Sequence, residues 1–432
     1  MKKKGLVCIG VGLITCCLLL IGLALWAKKN QETIVREDTQ FTEVTEEDTS
    51  QEVIIEEIEP QKIRLMMLGD NLMHLGMVYS GLQADGSFNY DKMFEPVKAH
   101  LELADIKITN QETIFGGNHL GFTGFPFFNS PTEIGDGIAK AGFNVVLHAS
   151  NHSADQGIKG IYHCLDFWEK YPEVLVTGIF KNANEKNQDI GLIEVDGVTF
   201  AILNYTYSPN LSALPKDIQG HLAMLCDWNE SDGMIDFKNL HPDVLVDITT
   251  AEEMADVVVV CPHWGTEYTF VPSSYQQKFA KQMTEAGADL IIGTHPHVIQ
   301  PVEWIKADNG NKALCYYSLG NYVSSQNDAE CMLEAMAWVT FEVKEDSVEI
   351  LEEETGAIPM VCHYTPGQIR LENVYFLDEY TEEKAKTHGI HAFDSADYTL
   401  ENLQTWAREV LGEWMLLGQD VFHEKIKEEY WK

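Results

Sequence analysis

The sequence predicts an α/β protein. Apolar runs of strand length recur between residues 63 and 317, segments of helical spacing separate them, and polar residues able to bind metal stand where the runs end. The predicted strands are Ile63–Leu68, Asp105–Thr109, Asn144–His148, Thr199–Asn204, Asp256–Cys261, Asp289–Ile292 and Ala313–Tyr317. They are rich in Val, Ile and Leu, as strands buried on both faces are. The predicted helices Pro131–Ala141 and Ser274–Ala286 stop at Gly142 and Gly287, the residue type that readily takes the left-handed turn closing a helix. A β-rich stretch follows over Ala335–Glu353. From Thr399 onward, Leu400, Leu403, Trp406, Val410, Leu411 and Trp414 recur at helical spacing and form a packing face.

Ahead of this body the composition changes twice. Lys2, Lys3 and Lys4 precede an uncharged apolar run from Gly5 to Ala27, closed by Lys28 and Lys29. About 20 apolar residues span a bilayer as a helix, so the run predicts a transmembrane anchor with a cytoplasmic basic tip. A cleaved signal peptide fits less well, because Leu25-Trp26-Ala27 lacks the small residues of a cleavage site; lipidation at Cys16 meets the weak residue Thr15 before it. Residues 30–60 are acidic, poor in aromatics and rich in Thr and Gln, the composition of a solvated stalk. The expected organisation is a tip at 1–4, an anchor at 5–27, a disordered stalk at 28–60, a main domain at 61–360, and a mainly helical segment at 361–432 packed on it. That places the protein in the cell membrane as a single-pass chain with its main domain extracytoplasmic.

The formal net charge of −37 excludes a nucleic-acid partner, since the long-range force on any polyanion is repulsive. Outside the anchor, Cys164, Cys226, Cys261, Cys315, Cys331 and Cys362 lack the close paired spacing of a zinc ribbon or a dense disulfide framework. Buried free thiols are the expectation.

The chemistry gathers at the strand ends. The first strand runs into Gly69-Asp70-Asn71-Leu72-Met73, the second into Asn110-Gln111-Glu112, and the third into Ser150-Asn151-His152 with Asp155 and Gly157 beyond. Later strands run into His263-Trp264-Gly265-Thr266-Glu267, Gly293-Thr294-His295-Pro296-His297 and Ser318-Leu319-Gly320-Asn321. In an open α/β sheet, ligands bind beyond the carboxyl ends of the strands, where residues distant in sequence converge. Carboxylates, imidazoles and an amide oxygen without cysteine suit a divalent ion such as Mn, Zn or Fe. The expected ligands are Asp70, Glu112, Asn151, His263, His295 and His297. Pro296 stiffens the last pair, which an extended backbone would project from one side. Asn110, Asp155, Trp264, Glu267 and Asn321 are expected to support the ligands or touch substrate, Trp264 either stacking on a ligand or wedging its loop against the core. His74 and His119 lie off the strand ends and are expected at the surface or behind the ligands; His148, inside a strand, is expected to be satisfied within the core.

In this order the six motifs resemble the successive signatures of the CapA family, which serves bacterial capsule and poly-γ-glutamate synthesis; the resemblance covers about Ile63 to Ser324. The family is similar to calcineurin-like metallophosphoesterases, which implies a layered α/β/β/α sandwich. It further implies that Asp70 binds one metal, Glu112 bridges, Asn151, His263 and His295 surround a second metal, and His297 returns to the first. His152 takes the place of a histidine assisting the leaving group by proton donation or charge stabilisation. There are two departures. Leu72 stands where phosphoesterases carry a histidine, and Glu112 replaces a shorter bridging aspartate, so the first metal position is expected to be the weaker.

Three functions follow from these readings. The leading one is a membrane-anchored component of capsule or poly-γ-glutamate synthesis or export, with polymer synthase subunits as partners and an anionic polymer or cell-envelope substrate. The second is a metal-dependent hydrolase of a phosphoester or envelope amide, and the third a non-catalytic scaffold of a synthase complex.

Overall fold

A computed structural model describes residues 60–183, 190–367, 369–393 and 396–422. The expected tip, anchor and stalk lie outside these residues, except for Pro60. Among the described residues no helix is long and apolar enough to cross a membrane. The single-pass membrane location expected from the sequence is corrected on that finding.

Sixteen strands are present among the described residues: β1 (Gln61–Asp70), β2 (Ile106–Asn110), β3 (Val145–Leu147), β4 (Leu175–Thr177), β5 (Gly191–Val195), β6 (Val198–Thr206), β7 (Cys226–Trp228), β8 (Ile235–Leu240), β9 (Val257–His263), β10 (Leu290–Ile292), β11 (Val302–Lys306), β12 (Lys312–Tyr316), β13 (Leu333–Val343), β14 (Val348–Ile350), β15 (Gly356–Tyr364) and β16 (Leu371–Phe376). One sheet runs β16-β15-β13-β1-β2-β3-β4, with β14 paired to β13; a second runs β11-β12-β10-β9-β6-β5, and β7 and β8 form a ribbon.

Both large sheets carry a parallel run, β1 through β4 in the first, bordered by antiparallel strands on its β13 side, and β12-β10-β9-β6 in the second, bordered by an antiparallel strand at each end. The apolar runs read in the sequence are these central strands. Their faces pack on each other: Phe200 of β6 meets Phe341 of β13 edge-on at 5.2 Å, and Cys261 of β9 touches Met67 of β1 at 4.0 Å. Helices cover the outer faces. Lys98–Leu103 packs on β1, Pro242–Glu252 on β6 and β9, and Ser274–Ala286 on β11 and β12. Helix, sheet, sheet and helix therefore stack in that order, and an α/β fold is what the chain forms. The six cysteines are all buried and free. Residue 360 falls inside β15, so the first sheet continues past it before the helices Glu382–Thr387 and Leu400–Leu411.

Local chemistry fixes the helix ends. Ser273 accepts from the Gln276 N–H in a reciprocal capping box, and Gly287 closes the same helix at φ 119°. Gly142 ends Glu133–Ala141 at φ 100°.

One irregularity sets up the site. The β1–β2 register slips between Leu68 and Asp70, so Gly69 is an extra residue and Asp70 comes to face Asn110. A bulge of this kind re-aims the side chain that follows it. A Cβ at Gly69 would lie 2.0 Å from the Gly320 carbonyl oxygen, so only glycine lets the Leu319–Asn321 segment approach this closely.

Candidate metal centre

Six strand ends deliver the candidate residues to one buried pocket. Asp70 closes β1, Asn110 closes β2 and Glu112 follows it; Asn151 lies beyond β3. His263 closes β9, His295 and His297 follow β10, and Asn321 follows β12. None of these eight side chains is more than 3% exposed.

A hydrogen-bond lattice fixes them. Asn110 Nδ2 donates to Asp70 Oδ1 at 2.6 Å, and the His295 backbone N–H donates to Asp70 Oδ2 at 3.1 Å. His297 Nδ1 donates to Asn321 Oδ1 at 2.9 Å and lies 3.5 Å from Asp70 Oδ2. His263 donates through Nε2 to Asn151 Oδ1 and meets the Thr294 hydroxyl at Nδ1, both at 2.9 Å. The same Nε2 is 3.7 Å from Glu112 Oε1.

Among the described residues three overlapping sets bring their donor atoms within 4.8 Å of one another: Glu112, His263 and His295; Asp70, Glu112 and His297; and Glu267, His295 and His297. Both carboxylate oxygens of Glu112 and Nδ1 of His295 are buried without a hydrogen-bond partner in the protein. Buried polar atoms are nearly always paired, so converging orphans of this kind fit a cation. Oxygen and imidazole donors without thiolate suit Mn, Zn or Fe.

The electrostatics point the same way. Burial first, then the neighbouring Asp70 charge, raises the Glu112 pKa well above the usual carboxylate range. Burial, reinforced by the other imidazoles, holds His263 and His295 well below the usual histidine value. Burial also disfavours the charged form of His297, but Glu112 and Asp70 outweigh it and lift that residue to about 9. Glu112 is thus held to its protonated form beside Asp70, and a positive ion in the pocket would let it ionise.

Beside this cluster, His152 Nδ1 donates to Asp155 Oδ2 at 2.8 Å, an oxygen that also accepts the Phe128 N–H at 2.6 Å. Phe128 meets the His152 ring edge-on at 4.5 Å. The imidazole is thereby locked with Nε2 directed away from Asp155. Glu267, 41% exposed, lies 3.9 Å from His297 Nε2.

One expectation is corrected, and one pair of alternatives is decided. His295 and His297 are not an extended pair: their φ values are 95° and 61°, in the left-handed region, and their rings stand 5.6 Å apart. Three contacts hold the turn: the His295 N–H bonds Asp70, the Tyr268 N–H donates to the Pro296 carbonyl, and Asn321 holds His297. Such backbone costs about 1–3 kcal/mol per residue and persists where surroundings over-determine it. Trp264 does not line a binding surface. It is buried, donates through Nε1 to the Tyr317 carbonyl at 2.9 Å and stacks on the Tyr317 ring, so it wedges its loop onto β12.

Of the histidines set aside, His148 is satisfied in the core by the Trp168 Nε1–H at 2.8 Å. His74 reaches the site after all: burial first, then His297 and His152, depress it to about 4, and its ring packs edge-on against Phe128. Sequence reading missed Tyr207, whose ring lies 4.6 Å from His295, and Asn210, which contacts Asn151 and His152. Both follow β6, so the strand-end rule reaches them once β6 is carried through to Thr206.

A family model described as "Bacterial capsule synthesis protein PGA_cap" matches residues 64–326. The "PGA biosynthesis protein CapA" of Bacillus subtilis (strain 168) is 33% identical over 186 residues, covering 43% of this chain and 43% of that protein. The "Capsule biosynthesis protein CapA" of Bacillus anthracis is 32% identical over 222 residues, covering 50% of this chain and 48% of that protein. The match thus spans about half the length of these relatives. Among solved structures, the calcineurin-like phosphoesterase YfkN from Bacillus subtilis aligns at 10% identity with a TM-score of 0.40, over 81% of this chain and 97% of that one. An overlap this loose carries no functional implication.

Proposed function

The chain belongs to the bacterial capsule synthesis protein family, and from that premise we propose that it serves capsule or poly-γ-glutamate synthesis through a divalent-metal site built on Asp70, Glu112, Asn151, His263, His295 and His297. Family membership supports the role in polymer synthesis, as do two relatives named for that biosynthesis. The observation that carries the metal is Glu112: a fully enclosed carboxylate, neither of whose oxygens has a hydrogen-bond partner in the protein, set among the imidazoles His263, His295 and His297 and beside Asp70.

A divalent ion held there supplies Lewis-acid chemistry, polarising an oxygen and lowering the pKa of bound water. The chain's own residues do the rest. Asp70 is oriented by Asn110 and the His295 backbone, and His297 by Asn321. His152, pinned by Asp155, presents Nε2 as the group that takes or gives a proton at the pocket's edge. That pinned pair favours a hydrolytic or transfer reaction on the polymer or its precursor over a purely structural role.

Charge sets a condition on the substrate. A chain of net charge −37 repels an anionic polymer, so contact between them relies on the metal site. The test is capsule production by a strain lacking its own family member and supplied with this chain. Wild type restores polymer; Glu112→Gln and His297→Ala do not, although both accumulate as folded protein. In vitro, poly-γ-glutamate binds the metal-loaded protein and is released by a chelator. Capsule formed equally by the variants, with polymer binding indifferent to chelation, would refute the proposal.

A further inference from the structure

Asn151 is an amide among imidazoles and carboxylates, and an amide has two different ends. Its Oδ1 faces the pocket, 2.9 Å from His263 Nε2. Reversal would turn an NH2 group, which cannot bind a cation, toward Glu112 and His263. His263 holds that oxygen while Nε2 carries a proton; once a cation takes the ring nitrogen, the orientation is decided at the other end, by whatever accepts from Nδ2.

That acceptor is Asn210. Asn151 Nδ2 donates to Asn210 Oδ1 at 3.2 Å, and the Tyr207 hydroxyl donates to the same oxygen at 3.4 Å. With Oδ1 committed to two donors, the Asn210 amide is itself oriented, and its Nδ2 points at His152 Nε2, 3.4 Å away. One side chain from the second sheet thus touches both the amide expected to bind metal and the imidazole expected to move a proton, each borne on the loop after β3 of the first sheet. Asn210 sits at φ 57°, a conformation that asparagine and glycine tolerate best among the residues.

We propose that Asn210 is a positioning residue: it fixes the oxygen end of Asn151 toward the metal pocket and holds His152 against the same pocket. The inference rests on the metal reading of the site given above. Partners behind a ligand typically contribute 10- to 100-fold to metal affinity.

The experiment is a calorimetric Mn²⁺ titration of the whole chain as wild type, Asn210→Gly and Asn210→Asp, with thermal melts as the folding control. Glycine keeps the left-handed backbone and removes the acceptor; aspartate keeps an oxygen for Asn151 and Tyr207. The expected result is a 10- to 100-fold weaker Mn²⁺ affinity for Asn210→Gly, with Asn210→Asp at wild-type affinity or tighter. A residue kept only for its turn would give the opposite order, because glycine serves the turn better. If wild type binds Mn²⁺ and Asn210→Gly binds it equally, or both variants lose affinity alike, the positioning role is overturned while the metal site stands. If wild type binds no Mn²⁺, the metal reading falls and takes this inference with it.

Discussion

Replacing Glu112 by Gln should have opposite consequences with and without metal. In the metal-free protein this carboxylate is enclosed, neither oxygen has a partner, and burial together with Asp70 opposes its ionisation. An amide of nearly the same volume has no ionisation to suppress, so the folded state no longer has to take up a proton above pH 4.5. The gain is of the order of the cost of burying a polar group, about 1–3 kcal/mol. The metal-free variant should therefore be more stable than wild type by about that much at pH 8. Loading reverses the comparison. A ligand at 100 times its dissociation constant stabilises a fold by about 2.7 kcal/mol. Losing a carboxylate that two of the three donor sets share should weaken affinity about a hundredfold, leaving the variant a gain of about 0.4 kcal/mol at the same metal concentration. The metal-induced gains thus differ by about 2.3 kcal/mol. For a domain of about 350 residues, unfolding with about 2.1 cal/mol/K of entropy per residue, that is about 3 °C in melting temperature. Urea and thermal melts of both proteins, after chelation and in Mn²⁺, measure all four values. A metal-free variant less stable than wild type, or equal metal-induced gains, would refute the reasoning.

Other perturbations follow from particular contacts. Glu334 on β13 is fully buried with both carboxylate oxygens unpartnered, and burial raises its pKa well above 4.5. The folded state keeps its proton while the unfolded chain loses it, so stability falls as pH rises from 4.5 toward the folded value. Glu334→Gln should match wild type near pH 4.5 and exceed it by about 1–3 kcal/mol at pH 8, as urea melts at the two pH values would show. His148, depressed to about 3 by burial, must stay neutral while the unfolded chain protonates near 6.5. His148→Gln, which keeps an acceptor for Trp168, should lose stability at pH 8, and its deficit should shrink by about 1.4 kcal/mol per pH unit below 6.5; a deficit independent of pH would contradict the neutral buried ring. Gly69→Ala forces a Cβ to within 2.0 Å of the Gly320 carbonyl oxygen and should lose about 3 kcal/mol or more together with Mn²⁺ binding; an unperturbed urea midpoint would contradict the close approach.

The central strands were legible because burial on both faces leaves an unbroken apolar run: Val257 to Cys261 can hardly be read otherwise. β5 was not, since its burial alternates at a sheet edge, and β4, as short as β3 and β10, is only half-buried at the edge of the other sheet. The strand-end residues could be named because a parallel sheet brings them together whatever their separation in sequence. Their backbone could not be foreseen. The turn at His295 and His297 depends on bonds from Asp70, Tyr268 and Asn321, all remote in the chain. Trp264 resembles a stacking residue until its indole N–H is seen bonded to Tyr317. Asn210 lay beyond reach for another reason: its importance comes from which atoms of Asn151 and His152 it touches, and no spacing encodes that.

The central claim is that the enclosed cluster holds a divalent ion. Anomalous diffraction from crystals soaked in Mn²⁺ tests it most directly. A manganese peak is expected within bonding distance of a Glu112 carboxylate oxygen and of at least two among Asp70, His263, His295 and His297. Crystals showing manganese only at surface carboxylates, with Glu112 still unliganded, would contradict it.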